Sequence, residues 1–124
     1  PGVRAVPAPK AISVDEAKRM LDAREAGFVD ARLPNGYVFG HVSGAVSLPA
    51  ASFDEAFAAR GAALDPAKPV VVYCGDYQCA EAAAVAAKLS AKGFASVLLM
   101  SDGWQGWTKA ALPRERGFGG PKAP

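Results

Sequence analysis

Cysteine is scarce in this chain, two residues among 124, and that scarcity excludes the disulfide lattice by which small secreted scaffolds make up for a thin core. Histidine is scarcer still, with His41 alone. Long apolar runs are missing: Val70 to Cys74 and Val97 to Met100 fall far short of the ~20 residues a membrane-spanning helix requires, so no membrane insertion is expected. A basic block is missing as well. Fourteen Lys and Arg against twelve Asp and Glu, net charge +2, are spread along the sequence and leave no footprint for nucleic acid. No internal repeat is visible. The chain opens on Pro1-Gly2 without a charged-then-apolar leader, a start compatible with a cytoplasmic protein, a processed periplasmic or secreted form, or a piece of something larger. What is present, 51% hydrophobic and 21% charged residues, is the composition of one ordinary soluble domain with a single core.

Residues 1–11, with three prolines and no periodicity, read as an extended N-terminal arm, and the fold is expected over residues 12–113. Ser13 followed by Glu16 predicts a capping box, and Ala17, Met20 and Leu21 recur at helical spacing, giving a helix from Val14 to Arg24 that Gly27 stops. Phe28-Val29-Asp30-Ala31 reads as a short strand, broken by Pro34-Asn35-Gly36, with a loop running on to His41. Ala45 to Leu48 reads as a strand closed by Pro49, and Ser52 with Glu55 repeats the capping signal for a helix ending near Gly61. The β-branched run Val70-Val71-Val72-Tyr73 predicts a central strand buried on both faces. Glu81 to Lys92 then reads as an Ala-rich helix, Ser96 to Met100 as a strand, and Asp102 as the cap of a last helix carrying Trp104 and Trp107. The Gly, Pro and basic residues of 114–124 read as a flexible tail. Strands alternating with helices at this spacing imply an α/β domain: an open parallel sheet of about five strands with helices on both faces and its sites at the carboxyl ends of the strands.

Both cysteines fall in one short segment, Cys74-Gly75-Asp76-Tyr77-Gln78-Cys79, between the central strand and the Ala-rich helix. A thiol at such a junction lies near the positive end of the next helix, which favours the nucleophilic thiolate, and a loop curled around the sulfur can aim backbone N–H groups at an anion. The alternative is a core thiol, since free cysteine is among the most buried residue types.

Four segments resemble the rhodanese family, in the family's order and at its spacings: Phe28 to Arg32, Gly40 to Pro49, Val70 to Cys74, and Asp102-Gly103-Trp104-Gln105-Gly106-Trp107. The resemblance spans nearly everything from Ile12 to Pro113. It implies a sulfurtransferase or sulfur carrier in which Cys74 takes sulfane sulfur from a small donor, thiosulfate or a persulfide, holds it as a persulfide and passes it to a thiol, cyanide or protein acceptor, with no cofactor. It also implies that Gly75, Asp76, Tyr77, Gln78, Cys79 and Ala80 form the active-site loop, with Asp30 and Arg32 near the same surface. The sequence departs from the family pattern in two places. The loop holds Asp76 and no cation, which argues for poor thiosulfate turnover, and the position five after Cys74, where many relatives and the related cysteine phosphatases place Arg, is Cys79. Without that Arg a phosphatase would lack its transition-state clamp.

Cys79 is a candidate resolving thiol that would attack an oxidised or persulfidated Cys74 and close a disulfide; the alternative is a residue that packs under the sheet. His41 is weighed as a titrating group against a structural loop residue. Asp30 and Arg32 are weighed as substrate contacts against an ion pair that fixes loops. Trp104 and Trp107 fit packing on the sheet, and Tyr77 fits either a contact to an acceptor or a lid. Cys74, Cys79 and His41 lack the ligand spacing of zinc sites, and no metal is expected. Two further functions compete with sulfur transfer: a non-catalytic interaction or regulatory module of the same fold, and a thiol redox protein working through Cys74 and Cys79.

Overall fold

The computed structural model describes residues 9–75 and 79–118. Its elements are β1 (Lys10–Ile12), α1 (Val14–Asp22), β2 (Gly27–Asp30), α2 (Pro34–Phe39), β3 (His41–Val42), β4 (Val46–Ser47), α3 (Phe53–Arg60), β5 (Val70–Tyr73), α4 (Ala80–Ala91), β6 (Val97–Met100), α5 (Gly103–Lys109) and β7 (Arg114–Glu115). Every side chain of β5 is buried, as its unbroken β-branched and aromatic run requires, and it takes the middle place in a parallel sheet ordered β1-β6-β5-β2-β4. β3 and β7 form a separate antiparallel ribbon.

The period-two alternation of a strand divides the core in two. Val70, Val72 and Cys74 face α3 and α4, meeting Phe53, Ala56, Val85 and Leu89. Val71 and Tyr73 face the opposite way, toward Val14, Ala17 and Met20 of α1 and Trp107 of α5. Helix α4 is rich in alanine because it lies flat on the sheet, with Ala82, Val85, Ala86 and Leu89 forming its buried stripe. Among the described residues no helix is long and apolar enough to cross a membrane.

Several local expectations change. The segment expected as a loop from Pro34 to His41 holds α2, where Pro34 opens the helix with φ already set and needs no amide partner. Helix α1 ends at Asp22 rather than Arg24, because Arg24 turns into the left-handed region at φ 57°. The first capping signal forms, the Ser13 hydroxyl accepting from the Glu16 N–H at 3.0 Å. The other two do not. Ser52 enters α3 from a 3-10 turn at φ −135°, ψ 39°, and Asp102 already has helical angles, so neither has the extended backbone that aims a cap oxygen at the first turn. At the margins, Lys10 and Ala11 belong to β1, paired with Leu98 and Leu99, and Arg114–Glu115 pair with Val42 and His41. Ordered structure therefore starts before residue 12 and continues past residue 113.

Leu89 is fully buried between α4 and the sheet. Leu89→Ala is expected to cost about 2–5 kcal/mol, as transfer plus cavity terms, read as a lower denaturant midpoint with an unchanged slope.

Candidate active site

In an open parallel sheet the crevice lies where neighbouring strands send their chains to opposite faces. Here that place is between β2 and β5: the chain leaves β5 for α4 on one face, and leaves β2 for α2, whose Tyr37 packs into the other. A cavity of about 430 Å³ opens there, lined by Ala31, Arg32, Leu33, Asn35 and Gly36 after β2 and by Cys74, Gly75 and Glu81 after β5. A larger hollow of about 610 Å³ between α1 and α5, bordered by Ser13, Asp15, Asp102 and Lys109, contains neither cysteine.

Cys74 follows the last residue of β5 and is buried. Its backbone is pinned: the Trp104 N–H donates to the Cys74 carbonyl at 2.7 Å and the Gln105 N–H to the Gly75 carbonyl at 2.9 Å. The start of α5 thus holds the start of the cysteine loop. Cys79 is the N-cap residue of α4, and its side chain makes no capping bond. Cys74 and Cys79 are joined by a disulfide, with Cα atoms 6.0 Å apart. Of the expected loop, Gly75, Cys79 and Ala80 are described, whereas Asp76, Tyr77 and Gln78 lie outside the described residues.

Glu81, expected only as the start of the Ala-rich helix and not as a site residue, completes the cluster. Its Oε1 lies 2.8 Å from Cys79 Sγ and 3.7 Å from Cys74 Sγ. In the disulfide neither sulfur carries a proton, so these approaches are contacts; once the bond is reduced, the Cys79 thiol is a donor beside the carboxylate. The sequence signal for Glu81 was its place two residues after Cys79, and it was masked because acidic residues are ordinary in the first turn of a helix. The three side chains bring their ligand atoms within 4.8 Å of one another, but sulfurs bonded to each other are not thiolate ligands.

Beneath the cavity, Asp30 is fully buried at the end of β2. It accepts from the Arg32 backbone N–H at 2.9 Å, from the Arg32 guanidinium at 2.6 to 3.1 Å, and from the Tyr73 hydroxyl at 2.8 Å. The Tyr73 oxygen in turn accepts the Val42 N–H at 3.0 Å. Arg32 also donates to the Gly40 carbonyl at 2.5 Å and lies 4.8 Å from the Trp104 ring centroid. Burial works against its charge, but the hydrogen bonds and charge of Asp30 outweigh that and hold its pKa above the ordinary arginine value. The guanidinium at the cavity wall is therefore committed to Asp30 and Gly40.

His41 stands apart from the cavity lining. It is fully buried in β3, with its ring stacked on Tyr37 at 3.7 Å, Nδ1 2.8 Å from the Tyr37 carbonyl and Nε2 3.6 Å from a Glu115 carboxylate oxygen. Trp107 is buried with its indole N–H on the Pro113 carbonyl at 2.7 Å. Trp104 is half-buried against Gly40, where a Cβ would come within 2.9 Å of the indole.

Burial, followed by the charge of Asp30, pushes the Tyr73 hydroxyl well above the ordinary tyrosine range. The folded state therefore keeps a proton that the unfolded state releases above about pH 10, so stability is intact below that pH and falls above it, by up to about 1.4 kcal/mol per pH unit. Denaturant titrations at rising alkaline pH should show this extra decline in the wild type and its loss in Tyr73→Phe.

A family model described as Rhodanese-like domain matches residues 13–110. The chain is 32% identical over 109 residues to the uncharacterized protein YibN of Escherichia coli strain K12, covering 87% of this chain and 73% of that protein. It is 28% identical over 108 residues to the thiosulfate sulfurtransferase GlpE of Actinobacillus succinogenes, covering 87% of this chain and 92% of that protein. Among solved structures, the BH2092 protein of Bacillus halodurans superposes with a TM-score of 0.74 at 25% identity, covering 94% of this chain and 82% of that one.

Proposed function

The chain belongs to the rhodanese-like domain family, and from that premise we propose that Cys74 accepts a sulfane sulfur as a persulfide and passes it to a thiol acceptor, with Cys79 as its resolving thiol. The observation that carries this reading is the placement of Cys74 at the carboxyl end of the central strand, on the wall of the cavity, with a second sulfur in bonding reach. A protein named as a thiosulfate sulfurtransferase among the relatives supports it.

The transfer is a displacement at sulfur. The Cys74 thiolate attacks the outer sulfur of a donor R–S–SH, the donor S–S bond breaks, Cys74–S–SH forms and RS⁻ leaves. An external thiolate then takes the outer sulfur and restores the Cys74 thiolate. Alternatively, Cys79 attacks Cys74 Sγ, and Cys74–S–SH plus the Cys79 thiol become the disulfide plus H₂S. With thiosulfate as donor the leaving group is sulfite, and the donor dianion needs a cation. Arg32, the cation on the cavity wall among the described residues, is already bound to Asp30. Persulfides are accordingly the better donors for this site.

The disulfide favours a second reading, in which Cys74 and Cys79 are a thiol redox couple without sulfur transfer. Both readings use the same first cysteine, and they part at the first product. Intact-protein mass spectrometry of the reduced chain and of Cys74→Ser, incubated separately with thiosulfate and with a low-molecular-weight persulfide, separates them. One added sulfur that requires Cys74, greater with persulfide, is the expected result. Because Cys79 can discharge the persulfide as disulfide plus H₂S, the added sulfur is read in Cys79→Ser as well: disulfide in the wild type with no sulfur ever added to Cys79→Ser supports the redox couple, and neither product supports a non-catalytic module.

A further inference from the structure

We propose that Glu81 is the general base of disulfide closure: it takes the proton of the Cys79 thiol as Cys79 attacks Cys74, and gives it up to solvent. The proposal rests on the reading of Cys79 as the resolving thiol and adds to it the residue that makes the attack possible at neutral pH.

The geometry follows from the helix. Side chains of an α-helix lean toward its N-terminus, so a residue at the second position of α4 reaches back over the N-cap residue Cys79 and toward Cys74. Glu81 does this with one oxygen, Oε1, 2.8 Å from Cys79 Sγ and 3.7 Å from Cys74 Sγ. That oxygen stands on the Cys79 side of the two sulfurs, within reach of the proton to be removed, which is the geometric requirement for a general base. Among the described residues Glu81 has no ion-pair partner, so its charge is not neutralised by a neighbouring cation. Its exposed position lets the proton exchange with solvent.

With a mixed disulfide on Cys74, the step balances as follows. The Cys79 S–H proton passes to the Glu81 carboxylate, and the Cys79 sulfur bonds to Cys74 Sγ. The bond between Cys74 and the external sulfur breaks, the departing thiolate is protonated by water, and the exposed Glu81 returns its proton to solvent. With a persulfide on Cys74 the departing species is HS⁻, which leaves as H₂S. No electrons enter or leave beyond the disulfide exchange itself.

Charge alone acts in the opposite direction, and this makes the proposal testable. A carboxylate beside a thiol opposes a second negative charge on the sulfur. If Glu81 served only as a fixed charge, Glu81→Gln would raise the thiolate fraction and speed closure. As a proton acceptor, its loss forces Cys79 to react only as the few per cent of thiolate present at neutral pH, and closure slows by on the order of tenfold.

The experiment uses the full chain, reduced, with glutathione disulfide as the oxidant. Cys79→Ser, with and without Glu81→Gln, stops at the Cys74–glutathione mixed disulfide and gives the rate of the first step; the chains retaining Cys79 give the rate of closure, each followed by acid quench, alkylation and intact mass. The expected result is closure about tenfold slower in Glu81→Gln near neutral pH, converging with the wild type as alkaline pH makes Cys79 a thiolate without help. Closure that is equally fast or faster at neutral pH, or slower by the same factor at every pH, overturns the proposal. Because glutathione disulfide needs no sulfane sulfur, a chain that closes normally but whose Cys79→Ser form never gains sulfur from a persulfide removes the sulfur-transfer reading and leaves the general base standing.

Discussion

A carboxylate sealed away from water has to be surrounded by donors, and the Asp30 carboxylate is held in that way where three segments meet. It ends β2, accepts the hydroxyl of Tyr73 at the end of β5, and binds the guanidinium of Arg32, which reaches on to the carbonyl of Gly40 after α2. Separating such a buried pair is strongly unfavourable because the partner left behind keeps its charge without its solvent. The carboxyl ends of the two central strands are thereby locked to each other and to the turn into β3. Cys74 is the next residue along the chain from Tyr73, so the same constraint sets where its sulfur sits. The price is that the guanidinium at the cavity wall is withdrawn from any anionic ligand.

The loop that follows is held at both ends by different means. Trp104 and Gln105 of α5 bind its first carbonyls, and Cys79 begins α4 at its far side. A disulfide across a sequence separation of five closes a short loop, and chain entropy assigns such a closure only about 2 kcal/mol, less than a longer loop would give. A domain with a packed core on each face of its sheet has little need of that staple. Cys79 is also half-exposed, and an acid sits against the pair. Reactivity accounts for these features better than bracing does.

What the sequence made legible was whatever is written locally. The run Val70 to Tyr73 could only be a strand buried on both faces, and the periodicity of α1 and α4 needed no tertiary information. The segment Pro34 to Phe39 was misread because Pro, Asn and Gly are turn residues; it is helical because Tyr37 is drawn inward, stacking on His41 and donating its hydroxyl to the Ala45 carbonyl at 2.6 Å. β1 and β7 are short and largely exposed, and each is a strand only because a partner strand supplies its ladder. In the site, Cys74 was legible from its position after a hydrophobic run, and the pair of cysteines from their spacing. Glu81 was not, since its meeting with both sulfurs depends on the direction in which the first turn of α4 projects its side chains. The binding of Arg32 by Gly40 was equally hidden, because it joins residues whose proximity is set by α2.

Whether the bond between Cys74 and Cys79 works or merely braces is decided most directly by its reduction potential, measured by equilibrating the full chain with glutathione buffers of graded poise and counting free thiols after acid quench. A working couple titrates reversibly within the range that glutathione spans, above about −300 mV. A bond that stays closed throughout, with a potential below about −300 mV as structural disulfides have, would contradict the assignment of this loop as the reactive centre.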